Sequence, residues 1–367
     1  MSRLRIAGRP LPVIGRARMY VCGITPYDTT HLGHAATFVW SDVAARVLRH
    51  LGVDTEVCRN VTDVDDVLDL AAARAGARFD SFAAVQQFRF DRDMAALGVR
   101  RPDHEPRAHN YVAQVVTLAS VLLEIGAAYE RNGTVWFRGR DVPASAGVDP
   151  SRARELAGEF GDRSWRMDDR DDEFDVPVWR RAEPGEAAWP SPWGDGRPGW
   201  HAECAAMAIT MLGPAVDLHA GGADLRFPHH AYERAMAEAV TGVRPFARAW
   251  LHVGTVHVGG VKMAKSAGNL VLVSDVVAEH PPAALRLLLL DRAWAEPWNY
   301  EETMLAAAEA RLERLYAAAA RRSGTDAAVE AVTAALLDDL DVPTALNVAE
   351  EEGGPAARLA LSVLGLT

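Results

Sequence analysis

The sequence predicts an α/β fold built on a doubly wound parallel sheet, on three observations. Strand-like and helix-like stretches alternate through two separated halves of the chain, Gly-rich turns follow the strands, and residues able to bind ligands gather in those turns. In such sheets ligands sit at the carboxyl ends of the strands, so the turns are where function is sought. With 367 residues, 49% of them hydrophobic, the chain exceeds one comfortable core, and more than one domain is expected.

Residues 1–18, punctuated by Arg, Pro and Gly, read as a leader or a short edge hairpin. Arg18-Met19-Tyr20-Val21-Cys22 reads as a strand, ended by the turn from Gly23 to Thr30, and a helix follows from His31. Its apolar residues Phe38, Val39, Val43, Val47, Leu48 and Leu51 recur at helical steps, with Thr30 as a suitable N-cap. Asp54 to Asn60 is the next strand, and a second helix begins near Val67 with Asp65 and Asp66 in capping roles. Cys58, in an apolar strand, reads as a buried small hydrophobe.

Residues 81–131 read as largely helical, broken at Arg100-Arg101-Pro102-Asp103, and Thr134 to Arg138 as a strand. Order then fades. Residues 139–199, rich in Pro, Gly and Trp, read as an insertion between two halves of a nucleotide-binding domain. The second half opens with Pro198-Gly199-Trp200-His201-Ala202-Glu203-Cys204, which runs into a helix of small residues. A strand and Gly-rich turn follow from Val216 to Leu225, and Phe227-Pro228-His229-His230-Ala231-Tyr232-Glu233 starts another helix. Residues 275–367 read as helical.

Two stretches point to phosphate. The chain has only two lysines, Lys262 and Lys265, against 37 arginines, and both lie in the loop from Gly259 to Asn269. A compact ammonium on a flexible stem serves phosphate differently from a planar guanidinium, so a loop that keeps Lys is expected to hold a polyphosphate. The other stretch is His31-Leu32-Gly33-His34, at the mouth of the first helix. Strand, turn and helix in that order place backbone N–H groups and the positive end of the helix dipole where an anion binds. The imidazoles can donate to phosphate oxygens, and Gly33 lets a flat base approach. Capping is nonetheless the commoner role for histidines near a helix start.

Composition excludes other classes. The formal net charge of -11 disfavours a large nucleic-acid footprint, and residues 301–367 hold five Arg and no Lys against twelve Asp and Glu. Cys22, Cys58 and Cys204 are too few and too scattered for a disulfide framework or a compact zinc finger. No uncharged apolar run approaches the roughly 18 residues of a membrane span, and no apolar signal region follows Met1-Ser2-Arg3-Leu4-Arg5. A cytoplasmic protein with no membrane partner is expected, as a monomer. Cys22, Cys204, His229 and Glu233 make a plausible zinc set, the last two being four apart on one helical face. On spacing alone, two buried cysteines and a hydrogen-bonded histidine are the commoner outcome.

Five ordered motifs carry a resemblance: Met19-Tyr20-Val21-Cys22-Gly23, His31-Leu32-Gly33-His34, Gly199 to Cys204, Gly221 to His230, and Lys262-Met263-Ala264-Lys265-Ser266. Together they resemble the cysteinyl-tRNA synthetase family of class I synthetases, from about residue 15 to 300. Within that family the chain is most similar to the cysteine ligases of mycothiol biosynthesis, through Cys22 to Asp28, Asn60 to Asp66 and Trp189 to Trp200.

The resemblance implies a class I synthetase-type Rossmann fold. Residues 1–100 and 199–260 would be its halves, 101–198 the inserted connective region, 261–300 the lysine loop and stem-contact region, and 301–367 a C-terminal helical region. It implies ATP-dependent, AMP-forming activation of L-cysteine and amide formation with the amine of glucosaminyl-inositol. The alternatives are a paralogous amino-acid:amine ligase and a truncated cysteinyl-tRNA synthetase; a tRNA partner is disfavoured. His31, His34, Lys262 and Lys265 would be catalytic. Gly33, Gly221, Gly222, Asp224 and the two lysines would bind ATP with Mg2+, and Thr25, Thr62 and Trp200 would bind cysteine. Cys22, Cys204 and His229 would hold Zn2+, and Glu233 stands where the synthetases have a fourth ligand and the mycothiol ligases a small residue. Two departures stand out: Ala264 for the usual Ser of the lysine loop, and Ala231 for an expected Glu.

Overall fold

Four parallel strands make the central sheet: β1 (Ala17–Ile24), β2 (Thr55–Val61), β3 (Val216–Gly222) and β4 (Ala247–Val253), in the order β4-β3-β1-β2. The structure, a computed structural model, describes residues 3–27, 30–160, 169–264 and 267–367. Each half of the chain supplies one pair and runs outward from the middle, so the order reverses between β1 and β3. That border is a topological switch point, and clefts open beside it at the carboxyl ends.

Strand alternation sorts the side chains. Met19, Val21, Leu218, Ala220, Leu251 and Val253 join Phe38, Val39, Val43 and Val47 of α1 (Leu32–His50) in the main core. Tyr20, Cys22 and Cys58 take the other face and pack with Cys204, Met207 and Ala208 of α2 (Trp200–Leu212) and Ala237 of α3 (His229–Thr241). Helices on both faces make the sheet doubly wound, as the alternating pattern predicts. Each large side chain buried this way contributes about 1.5–3 kcal/mol. Cys58 is fully buried among these groups, the small hydrophobe expected.

The α1 cap differs from expectation by one residue. The N-cap is His31 rather than Thr30: its backbone is extended, and its Nδ1 accepts from the Gly33 N–H at 3.1 Å. The Leu32 N–H is drawn to the Val271 carbonyl and the Thr30 carbonyl accepts from Val273, so helical bonding starts later. Asp65 caps Asp66–Arg74 as expected, accepting from Val67 at 2.7 Å and Leu68 at 3.3 Å, while Asp66 pairs with Arg180 at 2.7 Å.

Residues 81–131 are less helical, and 139–199 more ordered, than the sequence pattern implies. Ala128–Arg131, Thr134–Phe137, Val176–Arg181 and Gly196–Pro198 form a four-stranded antiparallel sheet in that order. Its first hairpin turns at Asn132-Gly133, both with positive φ (55° and 84°), the pair that a type I′ turn favours. The sheet packs on Val112–Glu124 through Val115, Leu122, Val135, Phe137 and Trp179.

The lysine loop begins as a hairpin. Val256–Val258 pairs with Val261–Lys262 around Gly259-Gly260, both left-handed, and Trp298–Tyr300 adds a third strand inside the stretch read as helical. Beyond it, helices Thr303–Ala319, Asp326–Leu337, Val342–Glu352 and Gly354–Leu364 bury Leu and Ala in the same core as α1. Arg286 ties these parts together. Fully buried, it donates to the Leu364 carbonyl at 2.6 Å, the Leu97 carbonyl at 2.8 Å and Asp42 on α1 at 2.6 Å. Removing Asp42 would leave that charge uncompensated, at about 3–5 kcal/mol. Among the described residues, no helix is long and apolar enough to cross a membrane.

Candidate active site

The sheet register builds the site. Tyr20 stands beside His219 and Cys58, and His219 beside Trp250, so one row of the sheet carries Trp250, His219, Tyr20 and Cys58 on one face. Cys22, two residues further along β1, points the same way towards the carboxyl end. There α2 and α3 bring Cys204, His229 and Glu233 over it.

Donor atoms of Cys22, Cys204 and His229 lie within 4.8 Å of one another, and all three side chains are buried. Glu233, 0% exposed, reaches into the same space. Its Oε2 accepts from the Cys22 thiol at 3.7 Å and lies 4.0 Å from His229 Nε2, while its Oε1 faces His219 Nε2 at 2.9 Å. The His229 ring is fixed from behind, with Nδ1 at 2.8 Å from His201 Nδ1 and Trp200 stacked on it at 4.2 Å. Burial, then Cys204 and Glu233, push the Cys22 thiol well up, and burial pushes the Glu233 carboxyl well up. Two thiols, an imidazole and a carboxyl in so small a dry space fit Zn2+, whose charge favours the deprotonated forms that burial opposes. A second grouping, Cys22, His219, His230 and Glu233, shares two of these residues. The set with both cysteines suits zinc better, because thiolates are its softer ligands.

The side expected to hold the nucleotide is a cavity of about 360 Å³ over the switch point. Nine residues expected at the site line it: Cys22, Thr25, His31, Gly33, His34, Trp200, Gly222, Asp224 and Lys262. His31 and His34 stack at 3.9 Å, so His31 both caps α1 and faces the cavity. Lys262 Nζ donates to Asp224 Oδ2 at 2.7 Å, with about a third of each side chain exposed (31% and 33%). Gly222 matters here because a Cβ would come within 2.4 Å of Asp224 Oδ1. Ala264 lines the same cavity. Thr62 stands apart: buried, it receives the Asn60 amide at 3.0 Å, and its N–H donates to the Ile24 carbonyl. Gly221 packs beside His230, and Lys265 lies outside the described residues.

Sequence reasoning missed the histidines behind the metal set. His219 stacks on Trp250 at 4.6 Å, and His230 Nδ1 meets His252 Nε2 at 2.9 Å. Burial pushes His201 and His219 down to about 3, so both are neutral near pH 7. A histidine inside the apolar run Val216-Asp217-Leu218-His219-Ala220 was the available signal.

Residues 12–310 match the family described as tRNA synthetases class I (C) catalytic domain. A cysteine–tRNA ligase of Legionella pneumophila (strain Paris) is 42% identical over 342 residues, 91% of this chain and 74% of that protein. An L-cysteine:1D-myo-inositol 2-amino-2-deoxy-alpha-D-glucopyranoside ligase of Acidothermus cellulolyticus is 42% identical over 353 residues, 94% of this chain and 87% of that protein. The fold is shared with Mycobacterium tuberculosis methionyl-tRNA synthetase in complex with methionyl-adenylate, at a TM-score of 0.65 and 17% identity, covering 96% of this chain and 82% of that one. The chain therefore belongs to the class I synthetase family of the cysteine type, a family of ATP-dependent, AMP-forming ligases.

Proposed function

We propose that this protein adenylates L-cysteine and transfers it to the amine of an aminosugar, glucosaminyl-inositol, forming an amide. The observation that carries the first step is the double position of Cys22, which belongs to the thiol-rich metal set and also lines the nucleotide cavity. A cysteine whose sulfur reaches that set has its carboxylate directed to the cavity. Cys22, Cys204, His229 and Glu233 would hold Zn2+, which when bound favours a thiolate over the harder, less acidic hydroxyl of serine. Glu233 would take the fourth position in the free protein and would give it up when the thiol arrives. Thr25 and Trp200 flank the amino acid, with Thr62 supporting the turn beneath.

The cysteine carboxylate attacks the α-phosphorus of ATP, the bond to the bridging oxygen breaks, and pyrophosphate leaves with Mg2+. The amine nitrogen then attacks the acyl carbon, the bond to the phosphate oxygen breaks, and AMP departs while the amine loses a proton. His31 and His34 stabilise charge on the phosphates from the α1 side. Lys262 exchanges Asp224 for a phosphate oxygen, and Lys265 closes from the same loop. Asp224, Gly33, Gly221 and Gly222 flank the adenosine. Positioning and preorganised charge supply most of the rate in such a reaction.

The acidic C-terminal helices, packed into the α1 core, support a small acceptor rather than a polyanion. Glu233 favours a second reading, a ligase with another amine acceptor or a cysteinyl-tRNA synthetase, because it matches the synthetase pattern. Incubation with ATP, cysteine and either glucosaminyl-inositol or tRNA, followed by AMP release and product mass, separates the two. A sugar conjugate is expected; aminoacylated tRNA without one would overturn the assignment.

A further inference from the structure

We propose that a second cleft, on the β4 side of α3, binds a small phosphate-bearing anion separately from the nucleotide cavity. The cleft encloses about 650 Å³ between β4, α3, the hairpin of Arg5–Ile6 with Arg9–Pro10, and the turn after Val142–Ser145. Arg9, Arg226, Arg234 and Arg248 line it, and among the described residues no Asp or Glu does. In a chain of net charge -11, this is a local reversal of sign.

The arginines are built in rather than scattered. Arg234 Nη2 donates to the Ser145 carbonyl at 2.9 Å and hydroxyl at 2.8 Å, while its buried Nε has no hydrogen-bond partner among the described residues. Arg248 Nη1 donates to the Pro12 carbonyl at 2.8 Å and lies 3.2 Å from Asp217. Arg9 and Arg226, both exposed, have no acidic partner among the described residues. Two guanidinium groups are thus anchored to backbone carbonyls, and two carry no acidic partner among the described residues. Asp217 offsets Arg248, but Arg9, Arg226 and Arg234 still place like charges around one cleft, and an anion that bridges them relieves the repulsion.

A planar fork of N–H donors suits phosphate oxygens, and anchoring lowers the ordering cost of binding. Trp250 and the buried Trp294 supply apolar wall beside the arginines, so the site is a half-open cleft rather than a flat basic face. The surrounding acidity disfavours a long nucleic acid, whose backbone needs an extended basic track. These features select a small ligand with more than one phosphate.

Tripolyphosphate is the probe, titrated by calorimetry into full-length Lys262→Ala protein, in which the nucleotide cavity has lost its facing cation. One saturable site is expected to remain. Adding Arg226→Gln or Arg9→Gln, at exposed positions, weakens it about tenfold each, the loss of one charge-assisted hydrogen bond, with the thermal midpoint unchanged. Absence of saturable binding in Lys262→Ala, or binding indifferent to both arginine substitutions, overturns the proposal. So does a short RNA oligonucleotide that displaces tripolyphosphate at lower concentration, which would reassign the arginines to nucleic acid.

Discussion

The metal side and the nucleotide side share Cys22 but are built in opposite ways. Cys204, His229 and Glu233 are at most 1% exposed and each is held by packed neighbours, whereas Lys262 and Asp224 expose about a third of their side chains (31% and 33%). The first arrangement suits discrimination, because a dry, rigid donor set cannot relax to accept a different ligand. The second suits charge that must move between partners during a reaction. The proposed function thus separates specificity from phosphate chemistry within one cleft, and substitutions can test the separation.

The largest effect is expected from Cys204→Ala. Metal analysis should find the zinc lost, and cysteine-dependent pyrophosphate exchange should fall beyond the roughly 10- to 100-fold typical of outer-shell partners, with ATP binding kept. Full zinc retention would place the metal elsewhere. Next, Lys262→Ala should lower the exchange rate by about 10²- to 10³-fold, the usual loss for one preorganised donor, and leave zinc content unchanged. If zinc fell too, the two sides would not be independent. Glu233→Ala is predicted to weaken zinc about 10- to 100-fold while changing the rate at saturating zinc and cysteine by less than about tenfold. A collapse of that saturated rate would mean that Glu233 does more than hold a vacant position.

The last effect is on stability. His201 and His219 are pushed down to about 3 by burial, from an ordinary value near 6.5. The folded protein resists protonation that the unfolded chain accepts, so this contribution is complete above pH 6.5 and declines as pH falls towards 3. Each histidine contributes a slope of about 1.4 kcal/mol per pH unit in that window. Denaturant midpoints measured from pH 7 down to 4 should fall steadily; a flat profile would show that the histidines are not neutral in the fold.

Much of this was legible in the chain. Period-two and helical spacing located β1, α1 and β3, because those segments have one apolar face and little competing signal. Cys22, Cys204 and His229 came from motif resemblance, and the fold brings them together although 182 residues separate the two cysteines and 25 separate Cys204 from His229. Asn132-Gly133 was an available hairpin signal, overlooked because the flanking Ala128–Arg131 lacks clear alternation. The Lys262–Asp224 pair was beyond reach: 38 residues apart, the two meet only once the hairpin of Val261–Lys262 folds over the end of β3. His252 faces the cluster only through its register opposite Gly221, which no local pattern encodes.

The grip of Arg286 on the Leu364 carbonyl and Asp42 has a consequence for how the molecule tolerates loss. The last helix supplies a hydrogen-bond acceptor to a cation seated under the helix that carries His31 and His34 at its mouth. Cutting away Gly354–Leu364 would therefore strand a guanidinium edge in the apolar interior beneath α1. The acidic C-terminal region behaves as a keystone of the half that carries α1, and changes made there should be felt first as a loosening of the floor beneath the cavity at the mouth of that helix.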